Sequence, residues 1–167
     1  MSQTNAPSSP VPGNGAPPPP PLLINIQYIK DLSFEIPNAP EIFATLRENP
    51  RVDLSLDVNA RRIPEGENIF EVLLQIRADA RVPKDNSPAF IAELLYCGIF
   101  TVNVPAEMLE PVLLVECPRL LFPFARNILA DVTRDGGFPP IMLTPIDFAA
   151  LWQSRRGQTS GQPAANA

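Results

Sequence analysis

Two patterns in the sequence predict an α+β fold: strict alternation of apolar and polar residues in four segments, and helical spacing in the region that follows them. The side chains of a β-strand point alternately to its two faces, so the alternating segments predict an antiparallel sheet with one apolar and one polar face. Apolar residues three and four positions apart predict helices. We therefore expect a four-stranded antiparallel sheet followed by helices.

The apolar residues of the four predicted strands fall on even-numbered positions. The connection over residues 37–50 is longer than a hairpin needs, which predicts a crossover between the first and second strands. The polar stretches 61–68 and 83–88 predict hairpin loops. The predicted strands cover residues 22–36, 51–60, 69–82 and 89–104, and their even-numbered apolar residues are Ile24, Ile26, Tyr28, Leu32, Phe34, Ile36, Val52, Leu54, Leu56, Val58, Phe70, Val72, Leu74, Ile76, Phe90, Leu94, Tyr96, Phe100, Val102 and Val104.

Three helices are predicted after the sheet. The first covers residues 106–116 and is expected to be kinked or broken at Pro111. The second carries apolar residues at spacings of four, three and four, and is expected to end at Gly136. The third is expected to begin with a Thr144 cap and to end before Gly157.

The charge balance excludes several classes of function. The chain has a net charge of −5 and scattered basic residues, which argues against binding to nucleic acid. It contains no histidine, so the commonest general base and metal ligand is missing, and neither lysine lies in a phosphate-binding loop motif. We expect a protein without catalytic activity, cofactor or metal site.

Both ends of the chain are expected to be disordered tails around one domain of residues 22–156. Residues 1–21 contain eight prolines and no charge, and residues 157–167 are also uncharged. The first tail does not have the basic and apolar regions of a secretory signal, and no apolar run approaches the ~20 residues of a membrane helix. A solvated tail is favoured over a proline-rich ligand for a partner, and a soluble, cytoplasmic protein is expected.

The two cysteines, Cys97 and Cys117, are expected to be buried free thiols, although a disulfide between them is the alternative.

The odd-numbered face of the sheet combines acidic and apolar residues. Such a face is either a soluble surface or a docking surface, and the apolar residues among the acids favour docking. The even-numbered face needs more cover than the helices of one chain supply, which predicts a symmetric oligomer. The odd-numbered residues are the acids Asp31, Glu35, Asp53, Asp57, Glu71, Asp79 and Glu93, the basic residues Arg51, Arg77 and Arg81, and the apolar residues Leu73, Ile91, Leu95 and Ile99.

Several long motifs resemble those of the SecB-type export chaperones of Gram-negative bacteria. The resemblance covers about residues 22–156. It implies a tetramer built as a dimer of dimers, with an eight-stranded sheet in each dimer and helices packed between the two sheets. The motifs are Lys30–Pro40 with Phe43, Ala89–Leu94, Gly98–Phe100, Cys117–Arg126, Gly137–Pro140, Pro145–Phe148 and Leu151–Trp152.

The resemblance also implies a function. Chaperones of this type bind unfolded preproteins in long grooves and deliver them to the translocation ATPase SecA, without hydrolysing nucleotide themselves. SecA docks through a short, basic, zinc-bearing tail, so zinc would belong to the partner. Two other functions stay open: a SecB-like chaperone that controls a toxin–antitoxin pair, and an oligomeric structural domain without a client.

Site residues follow from the resemblance position by position. Relatives often carry a tryptophan in the crossover loop, whereas residues 41–50 of this chain contain none. Relatives also have a tyrosine at the position where this chain has Phe124. The proline-rich first tail has no counterpart. The implied SecA-docking residues are Asp31, Glu35, Ile91 and Glu93, the implied tetramer contacts are Ala92, Leu94 and Tyr96, and the implied groove aromatics are Phe34, Phe43, Phe124 and Trp152, for which core packing is the alternative.

Overall fold

The computed structural model describes residues 15–159. The tail disorder predicted for residues 1–14 and 160–167 lies outside the described residues. The elements are β1 (Leu22–Glu35), α1 (Glu41–Thr45), β2 (Arg51–Arg62), β3 (Ile69–Arg81), β4 (Pro88–Val102), α2 (Ala106–Pro111), a π-helical turn (Val112–Glu116), α3 (Cys117–Asp135) and α4 (Phe148–Thr159).

The four strands form one antiparallel sheet in the order β1-β4-β3-β2. β1 and β2 therefore lie at opposite edges, and the predicted crossover between them is confirmed. The crossover contains the short helix α1, where a loop was expected. Ile42 of α1 is buried and joins the hydrophobic core, which holds the crossover against the sheet.

The even-numbered residues of β3 and β4 form the core, as predicted. Val72, Leu74 and Ala92 are buried and lie on the face covered by α3. Leu121 and Leu129 of α3 are equally buried against them. The even-numbered residues of these central strands are buried from Phe70 to Ala80 and from Phe90 to Val102, and a few odd-numbered residues, among them Glu71 and Cys97, are buried as well.

The predicted alternation is wrong in the middle of β1. Two irregularities, between Ile24 and Ile26 and between Ile29 and Asp31, each insert one residue opposite β4. A β-bulge of this kind moves the following side chains to the other face. Tyr28 therefore pairs with Cys97 on the odd-numbered face, and Ile26, which was expected in the core, is 53% exposed.

The even-numbered residues of β2 also depart from the prediction. Val58 is buried, but Leu54 is 48% exposed. β2 is an edge strand, and Val58 lies beside Leu114 of the π-helical turn and Leu151 of α4. The edge near Leu54 is consequently an open apolar surface.

The α-helix α2 ends at Pro111, where a kink or break was expected, and a π-helical turn continues the helical path from there into α3. Two predictions about the last helix need correction. Thr144 does not cap the last helix. Asp147 does so instead, since its carboxylate accepts the backbone N–H of Ala150 at 3.0 Å. That helix runs past Gly157 to Thr159, three residues beyond its expected end.

Cys97 and Cys117 are buried free thiols, as expected. Burial raises the pKa of Cys97 to about 11 and that of Cys117 to about 12, which keeps both thiols protonated at neutral pH. Over residues 15–159, no helix is both long enough and apolar enough to cross a membrane.

Candidate functional site

The four predicted docking residues share one face of the sheet. In the pairing register, Glu35 lies opposite Ile91, Ser33 opposite Glu93, and Asp31 opposite Leu95. β3 and β2 extend these rows with further acids on the same face. We call this surface the acidic face, and it consists of Asp31, Glu35, Asp53, Asp57, Asp79 and Glu93 with the apolar residues Ile91 and Leu95.

Arginines of β3 neutralise only part of the negative charge of the acidic face. Arg77 forms ion pairs with Glu93 and with Asp79. The Nε of Arg81 donates to Asp79 Oδ1 at 2.7 Å, and this hydrogen bond holds the pKa of Asp79 below its ordinary value. Within residues 15–159, Asp31 and Glu35 are exposed and form no ion pair. The β1 edge of the acidic face therefore has uncompensated negative charge that fits a basic partner.

Glu71 was predicted on the acidic face but is buried, with only 1% of its surface exposed. It accepts hydrogen bonds from the Tyr28 hydroxyl, from Lys30 Nζ at 2.9 Å, and from Arg61 Nε. Burial favours the neutral carboxyl, but these three hydrogen bonds outweigh it and lower the pKa to about 2. Glu71 is therefore an internal ion-pair centre and is removed from the docking surface.

Four phenylalanine rings form a continuous cluster beside the crossover. The ring centroids of Phe34 and Phe90 lie 5.4 Å apart, those of Phe90 and Phe138 lie 4.8 Å apart, and those of Phe138 and Phe43 lie 5.4 Å apart. Phe34 and Phe43 thus belong to one cluster, but neither lines the groove described below, and their role as groove aromatics stays a prediction. Phe90 and Phe138, which connect them, were missed, although both belong to family motifs.

Gly136 makes the aromatic cluster possible, because a β-carbon at this position would overlap the Phe34 ring. The chain then passes into an extended segment of residues 138–144.

This extended segment forms the wall of an apolar groove next to the aromatic cluster. The groove has a volume of about 380 Å³, and none of its lining residues is charged. Val52 and Leu54 of β2 line one side, Phe90 and Phe138 lie at the base, and Ile141–Leu143 form the wall. An uncharged groove of this kind suits apolar side chains and disfavours charged ones.

The exposed edge of β2 offers backbone groups along the same side of the molecule. Arg155 of α4 donates to the carbonyl oxygens of Leu56 at 3.2 Å and Val58 at 3.3 Å, and it pairs with Asp57. These carbonyls therefore point away from β3. Along an antiparallel strand, every second residue directs its N–H and C=O groups away from the partner strand. The backbone groups of Val52 and Leu54 therefore also point outward, where they can pair with an extended polypeptide in the groove.

Trp152 and Phe124 do not join the aromatic cluster. Trp152 is half-buried beside Val58, and its Nε1 donates to Glu110 Oε1 at 3.2 Å. It lies further along the β2 edge than the groove. Phe124 is exposed on α3 and has no ring contact within the described part of the chain.

Ala92, Leu94 and Tyr96, the implied tetramer contacts, are buried within a single chain. They lie on the helix-covered face of β4, so an effect of these residues on assembly would act through packing beneath α3. Their role in assembly stays a prediction.

Comparison with known proteins decides the family. A profile of the family described as preprotein translocase subunit SecB matches residues 16–159. The chain belongs to the SecB family. The protein-export protein SecB of Granulibacter bethesdensis is 61% identical over 153 residues, covering 89% of this chain and 90% of the relative. SecB of Rhodospirillum rubrum is 57% identical over 145 residues, covering 87% and 88%.

The SecB fold is also found among solved structures. A SecB-like chaperone of Mycobacterium tuberculosis, solved in complex with a peptide from an antitoxin, matches with a TM-score of 0.61. The match covers 75% of this chain and 90% of that one at 16% identity, which is evidence for the fold alone. The predicted family and its role in protein export are confirmed by the SecB matches, and the relatives carry names of export proteins rather than of enzymes.

Proposed function

We propose that this SecB-family chain works in the cytoplasm as an ATP-independent chaperone that holds unfolded preproteins and delivers them to SecA. The observation that supports this best is the presence of two chemically different surfaces on one domain. The apolar groove is uncharged, whereas the acidic face carries clustered carboxylates. A client and a basic partner can then bind at the same time without competing for the same residues.

The client is proposed to bind in the apolar groove. Unfolded chains expose apolar side chains and unpaired backbone groups, and the groove offers a complement to both along Val52 and Leu54. Hydrophobic contact is not directional, so one groove can accept many sequences. Phe34 and Phe43 belong to the aromatic cluster at its base, and we propose Trp152 and Phe124 as outlying contacts for a long client.

SecA is proposed to dock on the acidic face through Asp31, Glu35, Ile91 and Glu93. The two uncompensated acids on β1 would supply attraction for a basic segment, and Ile91 would supply an apolar contact. Because these charges are at the surface, the affinity should fall as the salt concentration rises. Any zinc at this contact is proposed to belong to SecA.

We propose that the chain assembles as a dimer of dimers. β1 pairs with β4 on one side only, so its other edge is open, and it has exposed apolar side chains. Helix α3 exposes Leu120 and Phe124. An edge-to-edge dimer and a helix-to-helix tetramer would cover these two surfaces, beneath which Ala92, Leu94 and Tyr96 pack. The proposed chaperone domain begins at residue 22, and we extend its end to Thr159, where α4 ends.

The client proposal is tested by mixing the purified chain with a chemically unfolded protein and measuring light scattering at 37 °C. The chain should suppress aggregation without nucleotide. A double substitution in the groove, Val52→Asp with Leu54→Asp, should reduce the suppression while leaving affinity for SecA unchanged. Unchanged suppression by this variant would contradict the placement of the client in the groove.

The SecA proposal is tested with two matched charge reversals. Asp31→Lys should abolish binding to SecA in a titration at low salt, with client binding intact. Glu67→Lys makes the same charge change in an exposed loop outside the acidic face and should bind normally. Equal affinity of both variants would contradict the docking site. Native mass spectrometry of the same samples would test the tetramer directly.

A further inference from the structure

Met142 is the most exposed of the large apolar residues in the described part of the chain, at 75% of its surface. Its two neighbours behave in the opposite way, since Ile141 and Leu143 are both buried. The side chain is therefore held outward by a segment whose flanking residues are anchored in the core. A water-exposed apolar side chain on an anchored segment is a feature that the fold itself does not require.

The anchoring of this segment is specific. Thr133 of α3 is fully buried, and its Oγ1 accepts the backbone N–H of Ile141 at 3.0 Å while donating to Leu129 O at 2.9 Å. The Thr133 carbonyl also accepts the N–H of Phe138 at 3.1 Å. Hydrogen bonds at both 138 and 141 restrict the backbone directly before Met142, so that residue is presented in a defined position.

Met142 lies at the rim of the apolar groove, which Leu54 lines from the side of β2. Both side chains are exposed and apolar, and none of the residues that line the groove carries a charge. Because methionine is unbranched and polarizable, it adapts its shape to differing apolar groups better than a branched side chain does. This position therefore suits contact with side chains that vary from one client to the next.

We propose that Met142 is a client-contacting residue that folds over the apolar side chains of an unfolded polypeptide bound in the groove. The inference rests on the proposed function and deepens it, because it names the residue that changes its exposure when a client binds. A client segment with uncharged, apolar side chains is the occupant that the uncharged lining fits. The Met142 thioether should be shielded from solvent only while that client is bound.

The test uses oxidation of the full chain by dilute hydrogen peroxide, followed by mass spectrometry of its peptides. The chain has three methionines, and Met108, which is exposed on α2 and does not line the groove, is the internal reference. Oxidation is kept below about one tenth of the molecules, and reduced, carboxymethylated α-lactalbumin serves as the unfolded client. The client should slow sulfoxide formation at Met142 at least about fivefold and at Met108 less than about twofold.

Two results would overturn the inference. Equal oxidation of Met142 with and without bound client would show that the client does not cover it. Slow oxidation of Met142 before any client is added would show that a second copy of the chain covers it instead. Client binding is followed in the same samples by sedimentation, and if no client binds at all, the proposed function fails together with the inference.

Substitutions provide a second measurement. Met142→Leu keeps an apolar side chain and should bind the client within about twofold of the wild type. Met142→Gln has a similar length but a polar end, and should bind about five- to tenfold more weakly, since less apolar surface is buried on binding. Affinity for SecA should be the same in both variants. Equal client affinity of Met142→Gln and wild type would contradict a direct contact.

Discussion

The buried carboxylate of Glu71 should contribute to stability in a manner that depends on pH. In the variant Glu71→Gln, the amide keeps the shape of the side chain but loses the negative charge. Its NH2 group can only donate, whereas Tyr28, Lys30 and Arg61 all donate hydrogen bonds toward this position. At least one donor would be left without an acceptor, and two cations would lose their counter-ion.

The magnitude follows from the pKa of Glu71, which the surroundings lower from 4.5 to about 2. A lowering of this size corresponds to about 3 kcal/mol of stability at neutral pH. Lys30 and Arg61 are partly exposed and can be rehydrated, so we expect a loss of about 2–3 kcal/mol in the variant. Because the folded pKa is below the unfolded value, the contribution is complete above pH 4.5 and is lost as the pH falls toward 2.

Urea unfolding at fixed protein concentration measures this effect at pH 7, 6, 5, 4 and 3.5. The free energy of unfolding of wild type and variant should differ by a constant amount from pH 7 to 5, and the difference should shrink below that. The exposed Glu67→Gln serves as control and should change stability by less than about 0.5 kcal/mol. A difference that does not change with pH, or is absent at pH 7, would refute the assigned role of Glu71.

Three further predictions concern the core and the groove wall. Thr133→Val should lower the free energy of unfolding by about 1–2 kcal/mol in urea titrations, because the buried N–H of Ile141 loses its acceptor, whereas Thr133→Ser should stay near the wild type. Gly98→Ala should cost about 1–3 kcal/mol by the same measurement, since the new methyl group would meet Phe100 and Leu121, and both are fully buried; an unchanged midpoint would contradict this. Both cysteine thiols should resist iodoacetamide at pH 8 in the folded protein and react in urea, because burial raises their pKa.

The central part of the fold could be predicted because its sequence pattern is simple. In β3 and β4 the even-numbered residues are buried from Phe70 to Ala80 and from Phe90 to Val102, so the period identifies the core face, but it does not predict the burial of Glu71 and Cys97 on the other face. The crossover follows from the length of its connection. The odd numbers of Asp31 and Glu93 also predict correctly that both lie on one face of the sheet. Each of the two bulges in β1 reverses the faces once, so the original register is restored before Asp31.

The groove could be predicted only in part, because it depends on contacts between distant segments. Phe90 is an even-numbered residue of β4 and looks like any other core residue in the sequence. Its ring becomes part of the aromatic cluster only because the chain after α3 returns and places Phe138 against it. The cap at Asp147 was missed for a local reason, since Thr144-Pro145 forms an equally good capping sequence three residues earlier.

The two bulges in β1 explain how this strand contributes to both the acidic face and the internal ion-pair centre at Glu71. The first bulge moves the following side chains to the opposite face, which carries Tyr28 to Glu71, and the second restores the original register before Asp31. A single bulge would leave Asp31 and Glu35 pointing toward the helices, where their charges would be buried without partners. Both bulges are therefore needed. Together they allow one strand to supply Tyr28 to the ion-pair centre at Glu71 and Asp31 and Glu35 to the acidic face.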